Sequence, residues 1–379
     1  MEYPIYLDYN ATTPVDPVVL EQMLPYFTEH FGNAASRTHV FGLKGADAVE
    51  VARGQLAQLL DVTSKELVFT SGATESINLA LKGAFEQQTR PGRHFITVAT
   101  EHKAVLDTCA HLEQLGAEVT YLQPGPDGLI TADQVADALR PDTLLVSVMA
   151  ANNETGVCHP IEDIAHRVRQ HGALFHTDAT QAVGKLPLSM QQLPIDLLSL
   201  SAHKLYGPKG VGALVIRRGV ALTAQQDGGR HERGRRSGTL NVPGIVGLGA
   251  AAERCRQQLS HEATRLSALR DRLEAAILQG VPGTTVNGNR AHRLPNTTNI
   301  AFADTDGELL LTRLSAIAAS NGSACTSATT EPSYVLTAMG LSDDLAYSSV
   351  RFSLGRFTTD DDIDRAIAHI IPVANSLRN

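Results

Sequence analysis

Residues 195–218, IDLLSLSAHKLYGPKGVGALVIRR, constrain this chain more than any other stretch. An apolar run ends in Ala202-His203-Lys204, a glycine- and proline-punctuated turn follows at residues 206–210, and a second apolar run covers residues 212–216. That order predicts a strand, a turn and another strand, with one lysine at the carboxyl end of the first. Open α/β sheets bind ligands along that edge. Most lysines are solvated surface charges, so Lys204 takes its meaning from what stands at the other strand ends.

Such ends recur through the first two-thirds of the chain. Strands are predicted at residues 67–70, 95–99, 119–122, 144–149 and 173–177, and helices at 17–27, 42–60, 73–83, 105–115 and 161–171. This alternation argues an α/β fold with a mostly parallel sheet flanked by helices. At 379 residues the chain is long for one core. Past Pro243 a mostly helical stretch, 244–278, reads as a bridge. Short strands at 299–303 and 350–353 then alternate with helices at 307–314 and 359–377, the pattern of a smaller α+β domain. The expected division is 14–256 for the large domain and 1–13 with 257–379 for the small one.

The polar residues at the strand ends form a set: Thr74, His102, Asn153, Asp178 with Gln181, and Ser201 with His203 and Lys204. Sharing one sheet edge puts them in one cleft. Ser71-Gly72-Ala73-Thr74 opens a helix after a strand, so free N–H groups and the positive helix end make a cup for phosphate, although an ordinary helix cap has the same sequence. Asp178 ends a strand, where a buried carboxylate needs a cation; a pyridinium nitrogen or a structural salt bridge would both serve. A lysine, a phosphate cup and such a carboxylate are what a protein contributes to binding pyridoxal phosphate. His102 is placed to lie over a ring or to move protons.

Four cysteines, Cys109, Cys158, Cys255 and Cys325, show no paired spacing, which fits a reducing cytoplasm and neither a disulfide framework nor a zinc ribbon. Cys325 lies in a run of small polar residues, 319–329, suited to a loop nucleophile. Cys109 and Cys255 fall in helical patterns and read as inert, as does Cys158. The net charge of −8 supplies no basic face for nucleic acid, and no apolar run reaches the ~18 residues that would span a bilayer. No metal site is expected: His261-Glu262-Ala263-Thr264 is followed by Arg265, which breaks the zinc signature. Gly247-Leu248-Gly249 is preceded by Pro243 and no strand, so it reads as helix packing and not as a dinucleotide fingerprint.

With these residues in hand, the sequence resembles the cysteine desulfurases of the NifS/IscS type, fold-type I pyridoxal-phosphate enzymes of the class V aminotransferase group. The motifs are YLDYNATTPVDP (6–17), FTSGATESINLALKG (69–83), TEHKAVLDT (100–108), NNETG (152–156), HTDATQAVGK (176–185), SAHKLYGPKGVGAL (201–214), RRSGTLN (235–241), NGSACTS (321–327) and SSVRFSLGRFTT (348–359). The resemblance implies a seven-stranded sheet, Lys204 as the lysine that bonds the cofactor, Asp178 at the pyridine nitrogen and His102 stacked on the ring. It implies Gln181 and Asn153 near the ring hydroxyl and substrate. Ala73, Thr74, Ser201 and His203 would hold the phosphate, with Thr239 joining from the second subunit of a homodimer. Arg351 would grip the substrate α-carboxylate, and Cys325 would accept sulfur as a persulfide. The long run 320–333 resembles the form whose loop carries persulfide to a partner protein. Asn321 and His231 depart from the usual serine and glutamine. After Gly355 only one helix and two residues remain, which leaves open whether an iron–sulfur scaffold, tRNA thiolation or DNA phosphorothioation receives the sulfur. A selenocysteine lyase or an aminotransferase of the same fold is the alternative.

Overall fold

The computed structural model describes residues 3–87, 92–321 and 332–378. Its strands are β1 (Ile5–Tyr6), β2 (Leu67–Thr70), β3 (His94–Val98), β4 (Glu118–Leu122), β5 (Thr143–Ser147), β6 (Leu174–Asp178), β7 (Leu197–Ser201), β8 (Gly212–Ile216), β9 (Thr284–Val286), β10 (Thr297–Phe302), β11 (Ile317–Ala318) and β12 (Ser349–Ser353). Seven of them form the central sheet, in the order β2-β8-β7-β6-β5-β3-β4. Six of the seven run in one direction and β8, between β2 and β7, runs opposite to them. The mostly parallel sheet read from the sequence is therefore present, and the strand-turn-strand of residues 195–218 is the antiparallel pair β7–β8.

The apolar strands follow from burial on both faces, which selects near-continuous Val, Ile, Leu and Phe. Every residue of β2, β3, β5, β6, β7 and β8 is buried, whereas the edge strand β4 is not. One core layer packs helix Val40–Leu60 and the first part of helix Val242–Gly280 on one sheet face; another packs helices Ala73–Glu86 and Lys103–Gln114 on the other. The two long helices meet closely. A Cβ on Gly249 would lie 2.5 Å from the Ala52 Cα, and one on Gly247 2.6 Å from the Met23 sulfur. The glycines expected to serve helix packing do so.

A second core gathers Ile5, Leu7, Leu266, Leu273, Ile277 and residues of β10, β12 and helix Asp360–Ser376. Its sheets are the antiparallel β12-β10-β9 and the parallel pair β1-β11. Helix Val242–Gly280 contributes Cys255 to the large core and Leu266 to the small one, so one continuous element passes through both.

The predicted helix at 17–27 is two helices, Pro17–Met23 and Pro25–Thr28. Pro25 lacks an N–H and takes the first position of a new helix. Helix Ala132–Ala138 and the short strands β9 and β11 were not expected from the sequence. They carry too few periodic apolar residues to register alone.

Candidate functional site

Strands β3, β5, β6 and β7 run parallel, and β2 is parallel to β7 across β8, so their carboxyl ends share one edge. A cavity of about 600 Å³ lies there. Its lining includes Ala73, Thr74, His102, Asn153, Asp178, Gln181, Ser201, His203, Lys204 and Arg351, so ten of the residues singled out in the sequence converge. A larger hollow, about 780 Å³, borders Cys158 and His159 and contains none of these ten.

Local structure places each group. Helix Ala73–Glu86 begins as β2 ends, and its first-turn N–H groups lack intrahelical acceptors. Gly72, the residue before this helix, has a φ of 155°, a conformation that favours glycine. His102 caps helix Lys103–Gln114, its Nδ1 accepting from the Ala104 N–H at 3.1 Å. Glu101 behind it is fully buried and its carboxyl is pushed well above the usual range, first by burial and then by the charge of Asp178. Met149 donates its N–H to one Glu101 oxygen, and the other, Oε2, has no partner among the described residues.

Asp178 is 5 % exposed and accepts the Thr180 N–H at 2.9 Å. Among the described residues no basic side chain pairs with it. A buried carboxylate at a cavity wall without a cation suits a ligand that brings a protonated nitrogen. Asn153, in the same cavity lining, has a buried Oδ1 without a partner among the described residues, which suits a ligand donor.

Lys204 ends a 3₁₀ turn after β7, and its Nζ donates to the carbonyl oxygens of Asn10 and Ala11, each at 2.6 Å. His203 Nδ1 meets the Thr12 hydroxyl at 3.1 Å. Burial, then the neighbouring lysines 204, 209 and 185, lower its imidazole to about 4, so it is a neutral hydrogen-bonding group at pH 7. The guanidinium of Arg351, on β12, is fully buried. It donates to Asp8 Oδ1 at 2.6 Å and to the Asn153 carbonyl at 2.9 Å, while its Nε remains without a partner among the described residues.

Asn10 went unremarked in the sequence. It is buried, accepts from Lys204 and Gln181 through its carbonyl oxygen, and donates its amide to Thr297 Oγ1 at 2.9 Å and the Asn153 carbonyl at 3.2 Å. Only its place in the YNATTP run marked it, because a hub of this kind exists only when four distant segments meet.

Thr239 is exposed and is not part of the cavity lining in its own chain. Cys325 lies outside the described residues. The described residues on either side of it are anchored at the site: Ser320 pairs with the Arg351 backbone, Ser333 donates to Glu154 Oε2 at 2.5 Å, and the Tyr334 hydroxyl donates to the Glu101 carbonyl at 2.7 Å. The other thiols are unsuited to chemistry, because burial raises Cys109 and Cys158 to about 12 and Cys255 to about 11.

An anion cup, a cation-seeking carboxylate and an amine around one cavity on this sheet define a fold-type I pyridoxal-phosphate enzyme. The class-V aminotransferase family model matches residues 5–366. The chain is 57% identical over 369 residues to cysteine desulfurase IscS of Anaeromyxobacter dehalogenans (strain 2CP-C), covering 97% of this chain and 91% of that one. Among solved structures, a NifS-like protein aligns with a TM-score of 0.92 at 38% identity, over 99% of this chain and 100% of that one. SspA in complex with cysteine aligns at 0.84 and 40%, over 93% and 99%. The chain belongs to the class-V aminotransferase family, and within it resembles the cysteine desulfurases along nearly its whole length.

Proposed function

We propose that the chain is an L-cysteine desulfurase, dependent on pyridoxal phosphate, that leaves L-alanine and passes sulfur to an acceptor protein as a Cys325 persulfide. The observation that carries this reading is the meeting of Lys204, Asp178 and the Ala73–Thr74 cup in one cavity, in a chain 57% identical to a cysteine desulfurase.

The residues divide the work. The helix N-terminus at Ala73 and Thr74, with Ser201 and neutral His203, would hold the phosphate, and Asp178 the ring nitrogen. Bound there, the cofactor supplies an electron sink that weakens the substrate's Cβ–S bond. Lys204 would bond the cofactor and, once released, carry protons as an amine; the carbonyls of Asn10 and Ala11 already hold it as a donor. His102 would stack on the ring and share the proton traffic. Asn153 and Gln181 would orient ring and substrate, and Arg351 would take the substrate carboxylate. The balance is internal: the substrate's Cβ–S bond gives way to Cβ–H, and the Cys325 S–H to S–S.

Two finer points belong to the same proposal. Thr239, exposed in its own chain, would reach the phosphate of a second copy in a homodimer. The domains would divide at 14–256 and at 1–13 with 257–379. Acceptors that build iron–sulfur clusters, thiolate tRNA or supply DNA phosphorothioate sulfur fit a cytoplasmic enzyme of this kind, and no described helix is long and apolar enough to cross a membrane.

Cys325→Ser tests the reading. The variant is expected to keep the visible colour of bound pyridoxal phosphate and to lose persulfide formation and alanine release from cysteine. Undiminished desulfuration in that variant would overturn the role given to Cys325. A native protein that stays colourless when given the cofactor would overturn the whole reading.

A further inference from the structure

A second amine adjoins the cavity. Lys185 is part-buried and follows the turn that leaves Asp178. Its Nζ donates to Gln181 Oε1 at 2.7 Å and to Asn10 Oδ1 at 3.4 Å. The Gln181 amide in turn donates to the Asn10 carbonyl at 2.9 Å, and that same oxygen accepts from Lys204 at 2.6 Å. Asn10 therefore ties the two amines together, one through its side chain and one through its backbone.

We propose that Lys185 is a positioning residue for the cofactor reaction: it fixes the orientation of the Gln181 amide and lowers the proton affinity of the nitrogen through which Lys204 bonds the cofactor. This rests on the pyridoxal-phosphate reading of the cavity.

The orientation follows from donor and acceptor counts. Below about pH 7 Lys185 is an ammonium, with three donors and no acceptor. The Gln181 oxygen must face it, and the amide nitrogen then faces the Asn10 carbonyl. The second N–H of that nitrogen is left for an acceptor, and Gln181 is one of the cavity-lining residues. Lys185 thus makes Gln181 a donor toward whatever occupies the cavity, which favours an oxygen anion such as a phenolate and disfavours a hydroxyl in its donor role.

The charge argument runs through the same contacts. The titratable groups facing the Lys185 amine are Lys204 and His203 beyond β7, Arg351 on β12, Cys255 on helix Val242–Gly280 and Cys158 beyond β5. Burial first, then the Lys204 and Arg351 charges, bring Lys185 down to about 7, and the two thiols work in the opposite direction. Coulombic interaction is mutual, so Lys185 disfavours a proton on Lys204 as Lys204 does on Lys185.

The test compares native protein with Lys185→Met, Lys185→Gln and Lys185→Arg, each loaded with pyridoxal phosphate and titrated by visible absorbance. The Met and Gln variants are expected to show an absorbance midpoint about half a pH unit or more above native, with faster loss of cofactor on dilution. The Arg variant keeps the charge and is expected near the native midpoint. A structural role alone would move stability and leave the midpoint in place. The cofactor-free proteins give a second readout. The folded Lys185 amine titrates below its unfolded value, so the unfolded chain binds more protons between about pH 7 and 10.5, and native stability gains over that window. Lys185→Met should lack this gain. Coloured Met and Gln variants with native midpoints and the native alkaline gain would sink the role of Lys185. A colourless native protein would instead sink the cofactor reading.

Discussion

His176 shows how much one residue can decide. Its imidazole bridges three strands, with Nδ1 against Ser147 Oγ at 2.8 Å on β5 and Nε2 against Ser199 Oγ at 2.9 Å on β7. Burial lowers it to about 3, and the buried His159 to about 4 for the same reason. Both titrate below the ordinary 6.5, so between those values and 6.5 the unfolded chain binds more protons. The contribution of these two histidines is then complete above about pH 6.5 and is lost as pH falls toward 4. His176 alone should cost about 3 kcal/mol at pH 4, a drop that urea unfolding at pH 7 and pH 4 would reveal. His176→Gln should flatten that acid slope while lowering stability at pH 7. The proposed substrate contact gives a residue-scale test in function. Arg351→Lys loses the planar fork that matches a carboxylate, so KM for cysteine should rise by about tenfold or more, with kcat less affected. An unchanged KM would remove Arg351 from the substrate.

At the scale of elements, the core around the seven-stranded sheet depends on close helix contact and on a buried ion pair. Gly249 lets helix Val242–Gly280 touch helix Val40–Leu60 backbone to side chain, and a side chain there has nowhere to go. Gly249→Val should cost about 1–3 kcal/mol of unfolding free energy, measured by denaturant titration with unchanged slope. Arg53, on helix Val40–Leu60, meets Glu232 with paired bonds of 2.7 and 2.9 Å, and Glu232 also accepts the Phe69 N–H of β2 at 2.8 Å. Glu232 and Arg233 adopt left-handed φ of 45° and 60° to make this possible. The loop that carries Thr239 is thus fixed by a pair buried at both ends. Glu232→Ala leaves Arg53 with only the solvent-exposed Glu50 carboxylate and the Leu67 carbonyl as acceptors, and should destabilise by about 1–3 kcal/mol.

For the molecule as a whole, the surface near the amino terminus is the clearest departure from a self-contained monomer. Nine of the thirteen exposed large hydrophobic residues described fall within residues 18–51, among them Leu24, Phe27, Phe31, Val40 and Phe41. Phe31 and Phe41 stack with ring centroids 5.4 Å apart. Patches of this kind mark association sites, and the proposed homodimer is the association that would bring Thr239 to a phosphate. Phe27→Asp combined with Phe31→Asp should shift the sedimenting species from dimer to monomer and weaken cofactor retention together. Monomers that hold the cofactor as firmly as the native protein would remove Thr239 from the site.

Local chemistry was legible in the chain order. Strand and helix periods, the cup at Ala73–Thr74, and Lys204 at the end of an apolar run are short-range facts, and a parallel sheet sends such strand ends to one edge. Tertiary structure alone decided the rest. Asn10 as a hub, the Lys185–Gln181 contact, Asp8 on Arg351 and the Arg53–Glu232 pair each join residues made neighbours by chain crossings. No period or spacing encodes those meetings, because their energy exists only once burial has removed water from both partners.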